Sequence, residues 1–487
     1  MSSSKRVSDI VEINDWNKGE LIVIQAGTGS GKSYLIKNKL YDKAKSEGRR
    51  ILYLVNRTRL LKQFEHELME QGKLDVIDLM LYQQIEKRLL HQKLDSSFLK
   101  KYDYIVCDEF HYFFTDASFN ITTDLSIEAI IKASHATRIL TSATCEYIVS
   151  YLKEYRKLEI KSYNIPSNSD HIEKLYFYYD DKVIEKFLTQ LKPGEKLIYF
   201  CRSARKAYRL SQTYIDSLFV CSENNKIYRE YVDKDKVTRL LEQEKFDEQI
   251  LFTTQTLDNG INIKDTKVKY IIADINDIDV LIQCLGRKRI LNKKDTLTII
   301  IKSYDNKAIA GRRDSKKKEL KKAEFLKSGN SIEKFIKEYP RENYGNMIYD
   351  VPVPDNSNVS TKNINHMMYY KYTTDIKNYE EIVKTENGYI EYVLERIKMK
   401  EYSIMDEELN RIELEDILEL FVGKEMYAEE QKKFRDAIKN HISCRGNGLR
   451  VIDTYLDVNK YKYKLSTERQ TKGENRYKRY WTLHRIV

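Results

Sequence analysis

Short apolar runs alternate with amphipathic stretches along roughly the first 305 residues of this chain. Apolar runs of about four to eight residues are typical of buried strands, and the stretches between them have the spacing of helices. The segments that contain these runs lie at 21–25, 50–55, 104–107, 138–144, 269–275 and 296–304, and at 196–203 and 249–263, where the predicted strand is followed by a helix and by a Gly turn, respectively. We therefore predict an α/β fold, with one parallel sheet up to about Lys161 and a second from about His171, each covered by helices on both faces.

The pattern changes beyond residue 305, where the alternation of strand and helix stops. A basic helix is predicted at 311–325 as a solvated face, and 351–365, which holds two of the five prolines, is predicted as a linker. The chain from His366 onwards is expected to be mainly helical. It ends in a helix, a Gly-containing turn, a second helix and a basic hairpin, an order similar to a winged helix. The predicted domains are 1–165, 166–305, 306–365 (basic helix and linker) and 366–487 (accessory domain).

The composition fits a globular protein of about three domains, since the chain has 487 residues, of which 41% are hydrophobic and 33% charged. That balance excludes a largely disordered chain. The N-terminal sequence MSSSKRVSDI lacks the apolar core of a signal peptide, and no apolar run has the length of a membrane span, so we expect a cytoplasmic protein. The six cysteines have no metal-type spacing, and most are expected to be buried free thiols.

The segment LIVIQAGTGSGKS, at 21–33, predicts a strand, a glycine-rich turn and a helix that begins at Lys32. Glycines allow successive backbone N–H groups to turn inward around a phosphate, and a helix N-terminus attracts the same anion. We expect Lys32 to reach the β- and γ-phosphates and the Ser33 hydroxyl to bind Mg²⁺. A flexible Gly-Ser turn would explain neither the preceding strand nor the Lys-Ser pair. The predicted nucleotide-binding residues are Ala26, Gly27, Thr28, Gly29, Ser30, Gly31, Lys32 and Ser33.

A second strand, at 104–107, ends in two adjacent carboxylates within the sequence YDYIVCDEFH. Such a pair suits phosphate hydrolysis, with Asp108 ordering the Mg²⁺ shell and Glu109 activating the attacking water. His111 follows closely enough to link the nucleotide to neighbouring loops through hydrogen bonds. A surface turn, the alternative interpretation, does not account for the apolar strand and the upstream phosphate loop together.

Two regions carry candidate nucleic-acid contacts. The residues Arg57, Thr58 and Arg59 follow a strand at its carboxyl end, where open α/β sheets place ligands, and a solvated loop explains them equally well. The net charge is +11, and residues 445–487 contain 11 Lys and Arg against 4 Asp and Glu. Aromatic residues interleave with these cations, which suits base stacking with phosphate neutralisation. They are Tyr461, Tyr463, Tyr477, Tyr480 and Trp481. Because the chain contains 37 tyrosines, the alternative is that they pack the core of an ordinary small domain.

In chain order, the segments GTGSGKS, DEFH, TSAT, LIYFCRS, TTQTLDNGINI and QCLGRKR resemble motifs I to VI of superfamily 2 helicases of the DEAD/DEAH-like group. The resemblance covers about the first 305 residues and extends to helicases of temperate phages and other mobile elements. Ala26 stands where the usual phosphate-loop pattern has glycine, a form common in this superfamily. The resemblance implies two tandem RecA-like domains that bind ATP in the cleft between them and step along nucleic acid.

The resemblance also implies roles for single residues outside the phosphate loop. Ser142 and Thr144 would couple hydrolysis to domain movement, while Gln283 and Arg287 would face the γ-phosphate. An arginine placed across the cleft fits this chemistry, since it neutralises the charge that develops on the transferred phosphoryl group. The implied contacts of the second domain with ATP or nucleic acid are Thr254, Gly260 and Asn262.

Two features depart from the family pattern. The last motif usually reads QxxGRxxR, whereas here the second arginine, Arg289, comes one residue early and position 290 is isoleucine. Whether Arg289 acts as an arginine finger is therefore open. No glutamine precedes the strand that leads into the phosphate loop, so the adenine-reading element of true DEAD-box RNA helicases is absent. That absence favours DNA over RNA as the substrate.

These expectations together predict an ATP-dependent helicase or translocase with ATP and Mg²⁺ as cofactors, acting on single-stranded or forked DNA. The expected setting is the replication or recombination of a mobile element, with proteins of those processes as partners and without a membrane partner. Three alternatives stay open: an RNA helicase, a duplex-DNA translocase that does not unwind, and a clamp or loader that scarcely hydrolyses its nucleotide. The last would not need to retain Lys32, Asp108, Glu109 and Arg287 together.

Overall fold

The computed structural model describes residues 6–27, 29–91, 96–165, 171–255, 261–340, 346–353, 356–444, 446–472 and 475–486. Contacts divide the chain into two compact units. The larger consists of Met1–Leu175 and Lys192–Lys400, and the smaller of Tyr176–Leu191 and Glu401–Val487. This division does not coincide with the boundary expected at residue 366, because the helix that starts there inserts Met367 and Met368 into the core beside the first sheet.

The first sheet consists of six parallel strands. They are Leu21–Ala26 (β1), Ile51–Val55 (β2), Ile77–Leu81 (β3), Tyr104–Asp108 (β4), Thr137–Ser142 (β5) and Lys161–Ile165 (β6), in the order β3-β2-β4-β5-β1-β6. Alternate residues of β2 enter different cores: Leu52 and Leu54 lie on one face, and Ile51, Tyr53 and Val55 on the other. Both faces are buried, which is why these strands read as continuous apolar runs.

Helices connect these strands. The one after the phosphate loop begins with Lys32–Tyr34, passes through a π-helical segment, Leu35–Leu40, and ends with Tyr41–Ser46. The remaining helical segments of this domain are Val7–Ile10, Ile13–Asp15, Thr58–Glu70, Tyr82–His91, Ser96–Lys101, Tyr112–Thr115, Asp116–Ser118, Thr123–Lys132, Glu146–Ser150 and Tyr151–Tyr155. Helix Thr58–Glu70 shows why they dock: Phe64 and Leu68, four residues apart, are buried on one side of it.

The second sheet contains the strands Ile172–Tyr178 (β7), Lys196–Phe200 (β8), Ser217–Val220 (β9), Ile250–Thr253 (β10), Val268–Ala273 (β11) and Leu297–Lys302 (β12). Their order is β7-β12-β11-β8-β10-β9, and β8 to β12 pair in parallel. The helices of this domain within the larger unit are Ala204–Thr213, Arg229–Tyr231, Lys234–Gln243 and Ile278–Leu285. The predicted architecture of two tandem RecA-like domains is confirmed, although the two sheets differ in strand order.

Residues 306–400 add helices and one hairpin to the larger unit. The helices are Asn306–Lys327, Ile332–Glu338, His366–Ile382 and Gly388–Ile397, and the antiparallel strands are Ile348–Val353 (β13) and Asn356–Ile364 (β14). The expectation of a linker at 351–365 is wrong, since most of that segment is the hairpin. Its register partners Ile348 and Ile364 are buried in the core beside the first sheet, and the Tyr349 hydroxyl hydrogen-bonds the buried Asp124 carboxyl. The burial of these apolar residues stabilises the hairpin despite its prolines.

The smaller unit has the order of elements predicted for the tail. Its helices are Asp181–Thr189, Met405–Glu419, Ala428–Ile438 and Leu449–Val458; Ser403–Ile404 (β15) pairs with residues 176–177, and Tyr463–Arg469 (β16) forms an antiparallel hairpin with Arg479–Arg485 (β17). Isolated backbone bridges join Val422 to Leu483 and Met426 to Trp481 of the hairpin. The order of three helices, Met405–Glu419, Ala428–Ile438 and Leu449–Val458, followed by a hairpin resembles that of a winged helix.

All six cysteines are free, five of them buried and Cys444 partly exposed. The expectation of buried free thiols is therefore confirmed for five. Burial raises the pKa of the Cys107 thiol, which makes it inert at neutral pH. Within the described ranges, no helix has the length and apolar character needed to cross a membrane.

Candidate active site

The phosphate loop connects β1 to the helix that begins at Lys32. Gly29 and Gly31 have φ angles of +79° and +94°, in the left-handed region where a side chain would be strained. Gly31 is also the residue that caps the helix. Thr28, a predicted nucleotide contact, lies outside the described residues. The glycine spacing thus serves a backbone turn that directs N–H groups to one place, as an anion-binding loop requires.

The Lys32 side chain lies buried along this loop, with only 9% of its surface exposed. Its ammonium donates hydrogen bonds to the carbonyls of Ala26 and Gly27, at 2.7 and 3.1 Å. The Ser30 hydroxyl donates to the same Gly27 carbonyl at 2.6 Å. The Val7 backbone N–H donates to the Ser30 carbonyl at 3.0 Å, so the N-terminal segment braces the loop. This brace was not predicted, because backbone contacts between distant segments leave no motif.

Asp108 ends β4 and is fixed by three hydrogen bonds. Its carboxylate accepts from the hydroxyls of Tyr53 and Thr141, each at 2.7 Å, and from the Glu109 backbone N–H at 3.1 Å. Tyr53 is buried, and its hydroxyl also hydrogen-bonds the Ser33 side chain. Burial and the neighbouring Glu109 charge raise the pKa of Asp108. A positive charge placed beside this carboxylate would favour its ionised form.

This group of side chains has the donor chemistry of a magnesium site. Ser33 and Asp108 supply oxygen atoms, the ligands that Mg²⁺ prefers, and Tyr53 orients the Asp108 carboxylate. In the part of the chain that the structure describes, no cluster of three or more His, Cys, Asp or Glu side chains is arranged to hold a metal. A metal here would therefore take its remaining ligands from phosphate and water, as is usual for nucleotide-bound Mg²⁺. The residues fit an Mg²⁺–nucleotide complex.

Glu109 adopts a left-handed backbone with φ of +50°, uncommon for a non-glycine residue. Such outliers persist where the surroundings enforce them, and they concentrate at functional sites. The Glu109 carboxylate lies 3.2 Å from Nδ1 of His111. Burial opposes its ionisation, but the His111 hydrogen bond and the charges of Lys32, His111 and Arg287 together lower the pKa of Glu109 to about 2. The carboxylate is thus ionised at neutral pH, the form that a base acting on water needs.

A chain of hydrogen bonds leads from Glu109 to the second domain. His111 Nδ1 lies 2.9 Å from the Ser142 hydroxyl, which donates to the Thr144 carbonyl at 2.7 Å and accepts from the Thr144 N–H at 3.1 Å. Since the single Ser142 hydrogen points to Thr144 and an ionised carboxylate only accepts, His111 Nδ1 must carry a proton. Gln283 Nε2 then donates to the Thr144 hydroxyl at 3.3 Å. The chain joins residues from both domains, and all five were predicted.

The arginines of the last motif extend from the second domain on an extended segment. After helix Ile278–Leu285, the backbone pairs with Ile263. The Ile263 N–H donates to the Arg287 carbonyl, and the Arg289 N–H donates to the Ile263 carbonyl, each at 2.8 Å. In extended backbone, alternate residues share a face, so Arg287 and Arg289 lie on one side and Lys288 on the other. Lys288 is buried in an ion pair with Asp295 at 2.6 Å. The early second arginine therefore follows strand periodicity.

The two guanidinium groups lie close enough to repel each other. Arg287 is 8% exposed, and its buried Nε has no hydrogen-bond partner among the described residues. Burial and repulsion by Arg287 lower the pKa of Arg289 to about 10. Arg289 Nε donates to the Asn262 side chain at 2.8 Å. Thr254 is half-buried just after β10, and Gly260 lies outside the described residues. A bound anion would stabilise this arrangement, because it would accept a hydrogen bond from Arg287 and offset the repulsion between Arg287 and Arg289.

The predicted loop after β2 is largely committed to contacts within the protein. Arg57 forms a two-pronged ion pair with Asp116, at 2.6 and 3.1 Å. Thr58 begins helix Thr58–Glu70. The Arg59 guanidinium donates to the Leu241 carbonyl of the second domain at 3.2 Å. Their proposed contact with nucleic acid stays a prediction, and Arg57 has the contacts of a structural residue.

The tail aromatics divide into buried and exposed side chains. Tyr461, Tyr463 and Tyr480 are buried, and Trp481 packs against the core of the smaller unit. Tyr477 is 58% exposed, with the guanidinium groups of two arginines 5.0 and 4.7 Å from its ring centroid. The core interpretation therefore applies to Tyr461, Tyr463 and Trp481, whereas Tyr480 is buried beside Tyr427. Tyr477 keeps the surroundings that suit base stacking.

Residues 10–150 match the sequence model of the DEAD/DEAH box helicase family. Among solved structures, Dbp5 of S. cerevisiae bound to RNA and ADP BeF3 is 16% identical, covering 59% of this chain and 80% of its own with a TM-score of 0.43. A DEAD box protein of the hyperthermophile Methanococcus jannaschii is 21% identical, covering 59% and 83%, with a TM-score of 0.32. The DEAD-box helicase Mss116, bound to ssRNA and UDP-BeF, is 15% identical, covering 58% and 66%, with a TM-score of 0.42. Among curated proteins none matches this chain.

The matched segment spans the phosphate loop, both carboxylates, His111, Ser142 and Thr144. The first domain is thus a DEAD/DEAH box helicase domain of superfamily 2. Such a domain hydrolyses ATP, so the chain is an enzyme.

Proposed function

We propose that this protein is an ATP-driven motor that moves along or unwinds DNA. The observation that carries the proposal is the hydrogen-bond chain from Glu109 through His111 and Ser142 to Thr144 and Gln283. It connects the carboxylate suited to activating water with the second motor domain. A site built only to hydrolyse a nucleotide does not need such a connection. A motor does, because hydrolysis must change the relation between its two domains.

The roles of the residues follow from their positions. Bound ATP with Mg²⁺ supplies the transferable phosphoryl group and part of its charge neutralisation. Lys32 exchanges its carbonyl contacts for phosphate oxygens, and Ser33 and Asp108 hold the Mg²⁺ shell. Glu109 accepts the proton of the attacking water, as its ionised state allows. Arg287 neutralises the charge that develops on the phosphoryl oxygens, with Arg289 beside it.

The arginine pair also gives hydrolysis a mechanical consequence. With a γ-phosphate in place, both guanidinium groups gain an anion. After its release, the repulsion that lowers the pKa of Arg289 acts again. The second domain then loses attraction for the first, and the hydrogen bond between Gln283 and Thr144 is the contact that responds. Alternation between these states moves the domains relative to each other.

DNA is the proposed substrate on two grounds. No glutamine precedes the strand that leads into the phosphate loop, and the element order of the smaller unit resembles that of a winged helix, a fold that often contacts DNA. RNA is the alternative, as the solved Dbp5 and Mss116 structures contain RNA. Duplex translocation without unwinding and a scarcely hydrolysing clamp are further alternatives. A role in mobile-element replication or recombination stays a prediction from motif resemblance.

The test measures steady-state ATP hydrolysis by the full chain with no nucleic acid, single-stranded DNA, duplex DNA and RNA in turn. Unwinding of matched forked DNA and RNA duplexes is measured under the same conditions. We expect single-stranded DNA to stimulate hydrolysis most and forked DNA to be unwound. Stimulation by RNA alone would show that the substrate is RNA. Stimulation by duplex without unwinding would favour a translocase, and no turnover under any condition would contradict the motor.

A further inference from the structure

Helices His366–Ile382 and Gly388–Ile397 contact both motor domains at two particular places. One is the start of helix Glu146–Ser150, which follows Thr144 in the first domain. The other is the start of helix Ile278–Leu285, which leads to Arg287 in the second. A cavity of about 320 Å³ lies among these elements. The helical pair therefore touches the first domain just after Thr144, and the second domain at the opposite end of the helix that leads to Arg287.

Arg396 joins the two domains directly. Its guanidinium forms ion pairs with Glu146 of the first domain and with Asp279 of the second, the latter at 3.0 Å. The side chain is 17% exposed and lies over the ring of Tyr147, 5.1 Å from its centroid. Planar and with five donors, a guanidinium is suited to hold two carboxylates at once. One side chain from outside the motor domains thus bridges them.

A second set of contacts repeats this arrangement. Buried Lys371 pairs with Asp277 at 2.6 Å, and Asp277 is the residue that caps helix Ile278–Leu285. The hydroxyls of Tyr147 and Tyr392 lie 2.7 Å apart, and Asn378 donates to Tyr147 at 2.8 Å. Each domain is therefore held by at least two polar contacts from the same helical pair. That number fixes orientation as well as distance.

The charges at this junction are costly to bury. Burial and repulsion by Asp277 raise the pKa of Asp279 to about 6, although Arg396 and Lys371 oppose the shift. Ion pairs in such surroundings contribute little net stability, since desolvation offsets their attraction. A purely structural junction would be served as well by apolar packing. These buried charges are better explained by a role in fixing the relative orientation of the two motor domains.

The geometry points to Arg396 as a positioning residue that sets Arg287 against Glu109 by tying Glu146 to Asp279. Helices are stiff, so fixing the start of Ile278–Leu285 fixes the segment that carries Arg287 just beyond its end. In the same way, Glu146 follows Thr144 by two residues, and Thr144 accepts the hydrogen bond from Gln283. The inference rests on the proposed function, since it concerns the rate of ATP hydrolysis.

The first test removes one arm of the bridge. The Glu146 side chain is 50% exposed, so Glu146→Gln should leave the melting temperature unchanged. We expect unchanged ATP affinity, because the phosphate loop is untouched, and a kcat about tenfold lower, because a misplacement far from the chemistry costs rate. Arg396→Lys keeps the charge without the planar fork and should act in the same direction. Glu381→Gln is the matched control: it breaks an exposed ion pair with Lys384 within the helical segment and should match wild type.

A distance measurement separates this inference from the proposed function. Spin labels on Lys132→Cys and Lys294→Cys, in a Cys444→Ser background, report the separation of the two domains without hydrolysis. We expect broader distances in Glu146→Gln and Arg396→Lys than in wild type and Glu381→Gln. An inactive wild type with this broadening would end the proposed function and leave the positioning role standing. Wild-type kcat and wild-type distances in both variants would overturn the role, as would a lowered melting temperature in Arg396→Lys with Glu146→Gln unaffected.

Discussion

The two sides of the nucleotide cleft are built on opposite principles. On the first-domain side, Asp108 accepts hydrogen bonds from Tyr53 and Thr141, and Glu109 contacts His111, so the carboxylates are held by side chains of their own domain. On the second-domain side, the buried Arg287 Nε has no hydrogen-bond partner within the described ranges, and Arg287 repels Arg289. The carboxylates of the first domain have hydrogen-bond partners within the protein, whereas a bound anion would stabilise the arginines of the second domain. We infer that the first domain supplies fixed chemistry and the second supplies the response to the nucleotide.

The largest effect is expected from breaking the fixed side. Glu109→Gln should bind ATP yet turn over at least ~10²-fold more slowly, because the base for the attacking water is lost. Lys32→Ala should lose ATP binding as well, since the phosphates lose their charge partner. Nucleotide affinity and single-turnover hydrolysis distinguish the two. Glu65→Gln, an exposed carboxylate of the same domain, serves as control, and near-normal turnover in Glu109→Gln would remove its assigned role.

The responsive side should show a smaller loss with a different signature. Arg287→Ala should lower kcat by about 10²-fold while ATP affinity is largely kept, since its contribution belongs to the transition state. Arg289→Ala should cost less, because Asn262 already engages its Nε. Paired kcat and binding measurements on both variants check this order. A greater loss at 289 than at 287 would reverse the assignment of the arginine finger.

The hydrogen-bond chain between the two domains can be weakened without changing Glu109 or Arg287. Ser142→Ala removes the hydroxyl that joins His111 to Thr144 but leaves the contact between His111 and Glu109. We expect ATP turnover within a few-fold of wild type, at a cost of about 1–3 kcal/mol in folding stability for the lost buried partner. Unwinding per ATP should fall further than turnover does. Equal losses in both rates would mean that the hydroxyl serves hydrolysis alone.

The smallest effects are expected in the tail. Tyr477→Ala should weaken single-strand affinity by about 1–3 kcal/mol if a base stacks on its exposed ring, without changing the melting temperature. Trp481→Ala, whose ring packs on the tail core, should lower the melting temperature of the smaller unit instead. Binding titrations and thermal unfolding of both variants separate the two roles. Unchanged affinity in Tyr477→Ala would leave the tail without a stacking role.

The parts of the site that could be predicted are those encoded within a few neighbouring residues. The glycine turn, Lys32 and the adjacent carboxylates each have a local physical signature. Tyr53 and Thr141 could not be predicted, because only the pairing of parallel strands brings them to Asp108. The position of Arg289 made sense only once Ile263 was found to hold that segment extended.

The fold divides in the same way between local and distant information. The apolar runs predict the strands because both faces of each sheet are buried. The hairpin around Pro352 was mistaken for a linker, since its prolines and small polar residues are local while its anchoring at Ile348 and Ile364 is tertiary. Tyrosine was ambiguous in the tail for a related reason. A residue that is abundant throughout the chain says little about any one position until its burial is known.

The discontinuity of the smaller unit has a consequence for synthesis on the ribosome. Its first piece, Tyr176–Leu191, leaves the exit tunnel long before Glu401–Val487, because residues 192–400 are made in between. During that interval, helix Asp181–Thr189 presents Ile184 and Leu188 without the partners of its own unit. Contacts of such long sequence separation form late and slowly. Nascent chains that stall or end before residue 401 should therefore be prone to aggregate, even when both sheets have formed.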